Sequence, residues 1–180
     1  MRESLLKGGR TISPIIVVLT IFAWGSTPTL IAQDNTLGVP DTYSVRSLQG
    51  DYALVNHYGD GGTLALGIGT EQFDGSGNCR GTLLLNRPTL TGTRELVALT
   101  STGTYTVNAD GTGVIFLTVR LPDGTTRTAT EDFVITRTER SGGILVATRI
   151  VDEQREPSLV LGNGVFVTQE YTRRRQGRED

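Results

Sequence analysis

Four Asp-Gly pairs, at Asp60, Asp74, Asp110 and Asp123, punctuate the chain beyond Leu48, each between short runs in which apolar and polar residues alternate. Asp-Gly accepts the positive backbone angles of a tight hairpin turn, and alternation with a period of two marks a strand with one buried face. A Ser-Gly-Gly at Ser141 adds a further turn. No stretch carries a convincing helical period. The pattern predicts an all-β domain of sequential antiparallel hairpins.

The runs that read as strands are Gly50–Tyr58, Thr63–Phe73, Cys79–Arg87, Glu95–Asn108, Gly113–Leu121, Thr125–Thr138, Ile144–Val151 and Gly164–Arg173. Eight antiparallel strands close into a single up-and-down barrel, which removes the sticky edges of an open sheet. A two-sheet β-sandwich is the alternative. At 180 residues with 23 Gly and 37% hydrophobic residues, the chain has length and apolar content for one core.

The N-terminus predicts export. Arg2, Lys7 and Arg10 precede an apolar run from Ile12 to Trp24 that ends in small and polar residues, the order of a secretory signal. Cleavage after Gly25 or Ala32 is expected, giving a signal segment over residues 1–32. Pro14 and Pro28 weaken the alternative of an uncleaved anchor. Residues 33–46 then read as a flexible leader, 47–173 as the barrel and 174–180 as a charged tail. Removing the signal leaves 14 basic and 18 acidic residues, a net of -4. That balance argues against a nucleic-acid partner, and no membrane contact beyond the signal is expected.

Single-copy residues exclude whole classes of chemistry. Met1, Lys7 and Trp24 all fall in the signal, so the processed chain has no lysine for a Schiff base. One Cys (Cys79) and one His (His57) make no zinc site, redox pair or internal disulfide, and no metal or cofactor is expected. His57 shares parity with Val55, away from the Tyr52 face, and reads as an outer or rim residue. Cys79 reads as a packing residue, with pairing between chains as the alternative. Asp74-Gly-Ser-Gly-Asn78 lacks the spacing of a calcium loop and reads as a turn first. No dinucleotide or Walker pattern exists.

Side-chain parity sorts each strand into an inner and an outer face. Inward sets are Tyr52, Leu54, Asn56 and Tyr58; Cys79, Leu83 and Leu85; Val97, Leu99, Tyr105 and Val107; and Ile115, Leu117, Val119 and Leu121. Ile144, Val146, Thr148 and Ile150, then Val165, Val167, Gln169 and Tyr171, complete them with Arg127, Ala129, Glu131, Phe133 and Ile135. The Thr-rich faces go outside. On the second strand Leu64, Leu66 and Ile68 have one parity and Phe73 the other. Either a bulge near Gly67 or Gly69 switches the face, bringing Glu71 into the lumen, or Phe73 packs outside.

Six polar residues therefore point into a mostly apolar lumen: Tyr52, Asn56, Tyr105, Arg127, Glu131 and Gln169. Few polar groups converging in an apolar cavity make a small-ligand site. The plainer alternative places them near the rims, with Arg127 pairing Glu131 across one mouth.

Ser47-Leu-Gln-Gly-Asp-Tyr-Ala53, Phe73-Asp-Gly-Ser-Gly-Asn78, Gly81-Thr82 and Gly103-Thr-Tyr-Thr-Val-Asn-Ala-Asp-Gly-Thr-Gly113 resemble the secreted bacterial proteins of the allene oxide cyclase-like barrel group, from about Ser47 to Tyr171. The resemblance implies the barrel. Some members of that group close rings inside the barrel cavity, and many secreted members carry no assigned role; no catalytic residue of the cyclases matches a position here. Glu71 stands where the group's pattern has an apolar residue. The function expected is an exported, non-catalytic barrel binding a small apolar molecule or serving as an accessory module. The alternatives are a cofactor-free cyclase or isomerase, and a structural or interaction module with a filled core.

Overall fold

The computed structural model describes residues 42–59, 65–157 and 165–175, all within the compact unit Gly38–Asp180. The segment read as the signal, most of the leader, the Asp60 turn and Arg178 lie outside the described residues.

Eight strands follow one another: β1 (Gln49–Gly59), β2 (Ala65–Asp74), β3 (Asn78–Pro88), β4 (Arg94–Val107), β5 (Thr112–Arg120), β6 (Thr126–Ser141), β7 (Ile144–Gln154) and β8 (Phe166–Arg173). Each pairs antiparallel with its neighbours in sequence, and β8 returns to β1, closing an up-and-down barrel. The sandwich is thereby excluded. Gly75, Gly111 and Gly124 of the Asp-Gly turns take φ of +74°, +88° and +87°, angles that a side chain rarely tolerates. In the last two turns the aspartate also accepts from the Thr after the glycine: Asp110 Oδ1 from the Thr112 backbone and hydroxyl at 3.0 and 2.7 Å, Asp123 Oδ1 from those of Thr125 at 2.9 and 2.7 Å. Asp74 spends both oxygens on Ser76 and Asn78, so it caps its own turn.

One end of the barrel is floored. A short 3-10 turn, Val45–Ser47, lies just before β1, and Ser47 and Leu48 are fully buried. The Tyr105 hydroxyl donates to the Leu48 and Val45 carbonyls at 2.7 and 3.2 Å, and Tyr52 donates to the Ala147 carbonyl at 2.7 Å. Above them Phe73 packs edge-on against Tyr52, Tyr105 and Tyr171, with centroids 5.4, 5.2 and 6.0 Å away. Such pairs are worth about 0.5–1.5 kcal/mol each beyond burial. The described end of the leader is thus bound to the barrel, since Tyr43 and Val45 also pack on this core. A second apolar cluster around Tyr58, Leu85, Val97 and Val167 occupies the far half.

Strand β2 departs from both expectations. Its pairing with β1 and β3 is continuous, without a bulge, yet Phe73 is inside. Leu66 and Ile68 are instead exposed, at 44% and 62%, and the inner face reads Ala65, Gly67, Gly69, Glu71, Phe73. Glycine is required at these inward positions because the adjacent strand β3 is close: a Cβ on Gly67 would lie 2.8 Å from Leu83 Cδ1, and one on Gly69 2.0 Å from the Thr82 carbonyl. Apolar parity misleads where the space inside admits only hydrogen.

Strand β7 supplies the other correction. The β6–β7 register slips by one residue at Thr136 and slips back at Thr148. Ala147, not Thr148, is therefore the residue buried beside the floor, and Thr148 is only half-buried. Strand β7 also runs on to Gln154, beyond Val151, and carries Asp152 and Gln154 to the inner face.

Candidate functional site

Between the two apolar clusters lies a polar layer built by register. Asn56 on β1 pairs with Gln169 on β8, which pairs with Asp152 on β7, which pairs with Phe133 on β6. Glu131, two residues earlier on β6, opposes Gln154 and shares the face. Across the lumen Glu71 on β2, Gly81 on β3 and Ser101 on β4 form one row. A cavity of about 60 Å³ opens here, with Asn56, Glu71, Glu131 and Gln169 in its wall and Leu54, Leu99 and Val167 as apolar lining. One water fills roughly 10–15 Å³ on such a measure, and pockets for drug-sized ligands run to about 300–1,000 Å³. The space admits several waters or a molecule of a few heavy atoms.

Three carboxyls enter this layer, and each is only 3% exposed: Glu71, Glu131 and Asp152. Glu71 Oε2 accepts from the Ser101 hydroxyl at 3.1 Å. Its position needs Gly81, where a Cβ would fall 1.8 Å from that oxygen. Glu131 Oε2 accepts from the Tyr171 hydroxyl at 3.3 Å, and Asp152 Oδ2 from Gln169 Nε2 at 3.3 Å. Burial pushes Glu71 and Glu131 up to about 7 from an ordinary 4.5, and Asp152 well above 3.8. For Asp152 the negative charge of Glu131 adds to burial. Adjacent buried carboxyls ionise one at a time, so burial and mutual repulsion both favour the protonated form in this pair.

Four oxygen or nitrogen atoms among the described residues are buried without a partner, and three of them lie in this layer: Asn56 Oδ1, Glu71 Oε1 and Asp152 Oδ1. Asn56 donates its amide to the Tyr58 hydroxyl at 3.2 Å. Among the described residues no three His, Cys, Asp or Glu side chains gather closely enough to hold a metal ion.

Of the six residues that parity aims inward, four line the cavity: Asn56, Arg127, Glu131 and Gln169. Tyr52 and Tyr105 are buried lower down, where their hydroxyls bind the floor. Arg127 opposes Val119 and is exposed at the mouth. The Arg127–Glu131 pair is not formed: among the described residues Glu131 has its partners on β7 and β8 instead. Sequence reasoning missed Asp152, Gln154 and Ser101. Continued alternation through Ile150, Asp152 and Gln154 was the signal for two of them. His57 is exposed, and Cys79 is buried and unpaired beside Glu71, whose charge joins burial in pushing the thiol up.

No protein-family model matches the chain, and no curated protein or solved structure gives a significant match.

Proposed function

We propose that this chain is an exported barrel that binds a small molecule, apolar over most of its surface, in the lumen and does not transform it. The observation that carries this reading is a cavity walled by both leucines and unpartnered buried acceptors. A barrel selected only for stability fills such space with side chains, because orphaned buried polar atoms cost about 1–3 kcal/mol each. Export rests on the charged, apolar, small order of the N-terminus. Native mass spectrometry of the protein isolated from its own source tests the reading. A reproducible added mass that disappears on unfolding is expected; bare protein in every preparation, with no small molecule raising Tm, leaves the filled-core module instead.

One contact favours a second reading, a cofactor-free cyclase or isomerase. The Tyr171 hydroxyl donates to Glu131 Oε2 in the lumen, and burial brings that carboxyl up to about 7, the range acid–base catalysis uses, while the hydroxyl itself stays protonated. Incubating the ligand identified by mass with the barrel separates the two: recovery of the same compound supports binding alone, and an isomer of the same mass supports catalysis.

A further inference from the structure

The charge inventory of the lumen is one-sided. Every ionisable carboxyl of the polar layer, Glu71, Glu131 and Asp152, is deeply buried, and the nearest basic side chain in the cavity wall is Arg127, exposed at the mouth. Buried acids are ordinarily matched by a cation or a full set of donors. Here the unmatched atoms are all oxygens: Asn56 Oδ1, Glu71 Oε1 and Asp152 Oδ1. Among the described residues the layer lacks a positively charged hydrogen-bond donor, and the acids, spread on opposite walls, do not gather a metal shell. The surrounding lining, from Leu54, Leu83, Leu99 and Leu117, is aliphatic.

We infer that the ligand is a small organic ammonium, a primary amine on a short aliphatic stem, whose N–H donors address Asn56 and Glu71 and whose charge is balanced by the Glu131–Asp152 pair. This rests on the lumen-binding reading above and narrows its ligand class. A primary ammonium brings three donors and no acceptor, the complement of what stands open. Its arrival converts a neutral carboxyl to a carboxylate, and the proton leaves to solvent. The groups that face this event are Tyr58 on β1, Glu71 on β2, Cys79 on β3, Ser101 on β4, Arg127 on β6 at the mouth, Asp152 and Gln154 on β7 and Gln169 and Tyr171 on β8, with Glu156 adding negative charge beyond β7. Strand β5 contributes only apolar residues, Leu117 and Val119.

Calorimetry of the full barrel around pH 6, in two buffers of different ionisation heat, reads both binding and proton release. The probes are n-butylammonium, n-butanol and butyrate. Butylammonium is expected to bind at least about tenfold more tightly than butanol, with proton release and no binding of butyrate. Glu131→Gln with Asp152→Asn removes buried acids without enlarging the cavity, and it should abolish the preference. Butanol binding as well as butylammonium overturns the ammonium inference and leaves lumen binding standing. Butylammonium binding unchanged by the double variant overturns it too, by moving the site elsewhere. Binding of none of the probes, with no small molecule retained by the native protein, removes both readings together.

Discussion

Glu131 and Asp152 meet diagonally across the β6–β7 ladder, two residues apart in register and within hydrogen-bonding reach, with no buried cation beside them among the described residues. The arrangement predicts a fold that is more stable in mild acid than in base. Below the ordinary 4.5 of glutamate, folded and unfolded chains both keep their protons; between 4.5 and about 7 the folded chain holds protons that the unfolded chain has released. Stability therefore falls as pH rises through that window. Asp74, Asp110 and Asp123, held below 3.8 by their turns, act oppositely and only at lower pH. A Tm lower by on the order of 5 °C at about pH 8 than at about pH 5 is expected. A flat or rising profile contradicts the burial of these acids.

Glu131→Gln keeps the shape and removes the titration. Its Tm should exceed that of the parent at about pH 8 by a few degrees and match it near pH 5. A variant less stable than the parent at both pH values would mean that the carboxylate, not the acid, is the native form.

Gly81→Ala tests the seat of Glu71. The added methyl would meet Glu71 Oε2 at 1.8 Å and the Thr70 carbonyl at 2.6 Å, and the second of these is backbone that cannot swing aside. A loss of about 1–3 kcal/mol in urea unfolding is expected, as for other overpacked interiors. Stability equal to the parent's would show that the wall yields there.

The legible part of the molecule was its strands and turns, because an Asp-Gly turn and a period of two are local signals. Asn56, Glu131 and Gln169 were legible for the same reason: they share parity with undoubted core residues on their own strands. Asp152 was hidden because Val151-Asp-Glu-Gln-Arg-Glu156 looks like a polar loop, and a polar residue at an inward position cancels the pattern that would reveal it. Glu71 was legible only through a bulge that the strand does not have, because Gly67 and Gly69 leave Leu66 and Ile68 as the only apolar rhythm on that stretch although both face out.

Tyr105→Phe should loosen the floor selectively. Losing the hydroxyl leaves the buried Leu48 carbonyl without its 2.7 Å donor, a cost of about 1–3 kcal/mol. Amide exchange at Ser47 and Leu48 is expected to accelerate more than exchange in β5 or β6. Uniform acceleration over all strands would place the hydroxyl's contribution in global stability alone.

Cys79 offers a probe of opening. At 6% exposure, with its thiol pushed up by burial and by Glu71, it should resist alkylation in the native barrel. Labelling at least about a thousandfold slower than in urea is the expectation for a site reached only by unfolding. Rapid labelling of the folded protein would show that β3 opens locally.

The matched slips at Thr136 and Thr148 have a consequence for how this wall can change in length. An extra residue on β6 is answered by an extra residue on β7, so alternation is restored on both sides of the irregularity. Deleting Thr136 alone would leave Thr148 unmatched and turn one flank of the hairpin inside out; deleting both would return a regular ladder. By this geometry a change of length between Glu131 and Asp152 keeps the ladder regular only when it comes as a compensating pair, so the meeting of the two acids depends on the arithmetic of chain length as much as on their chemistry.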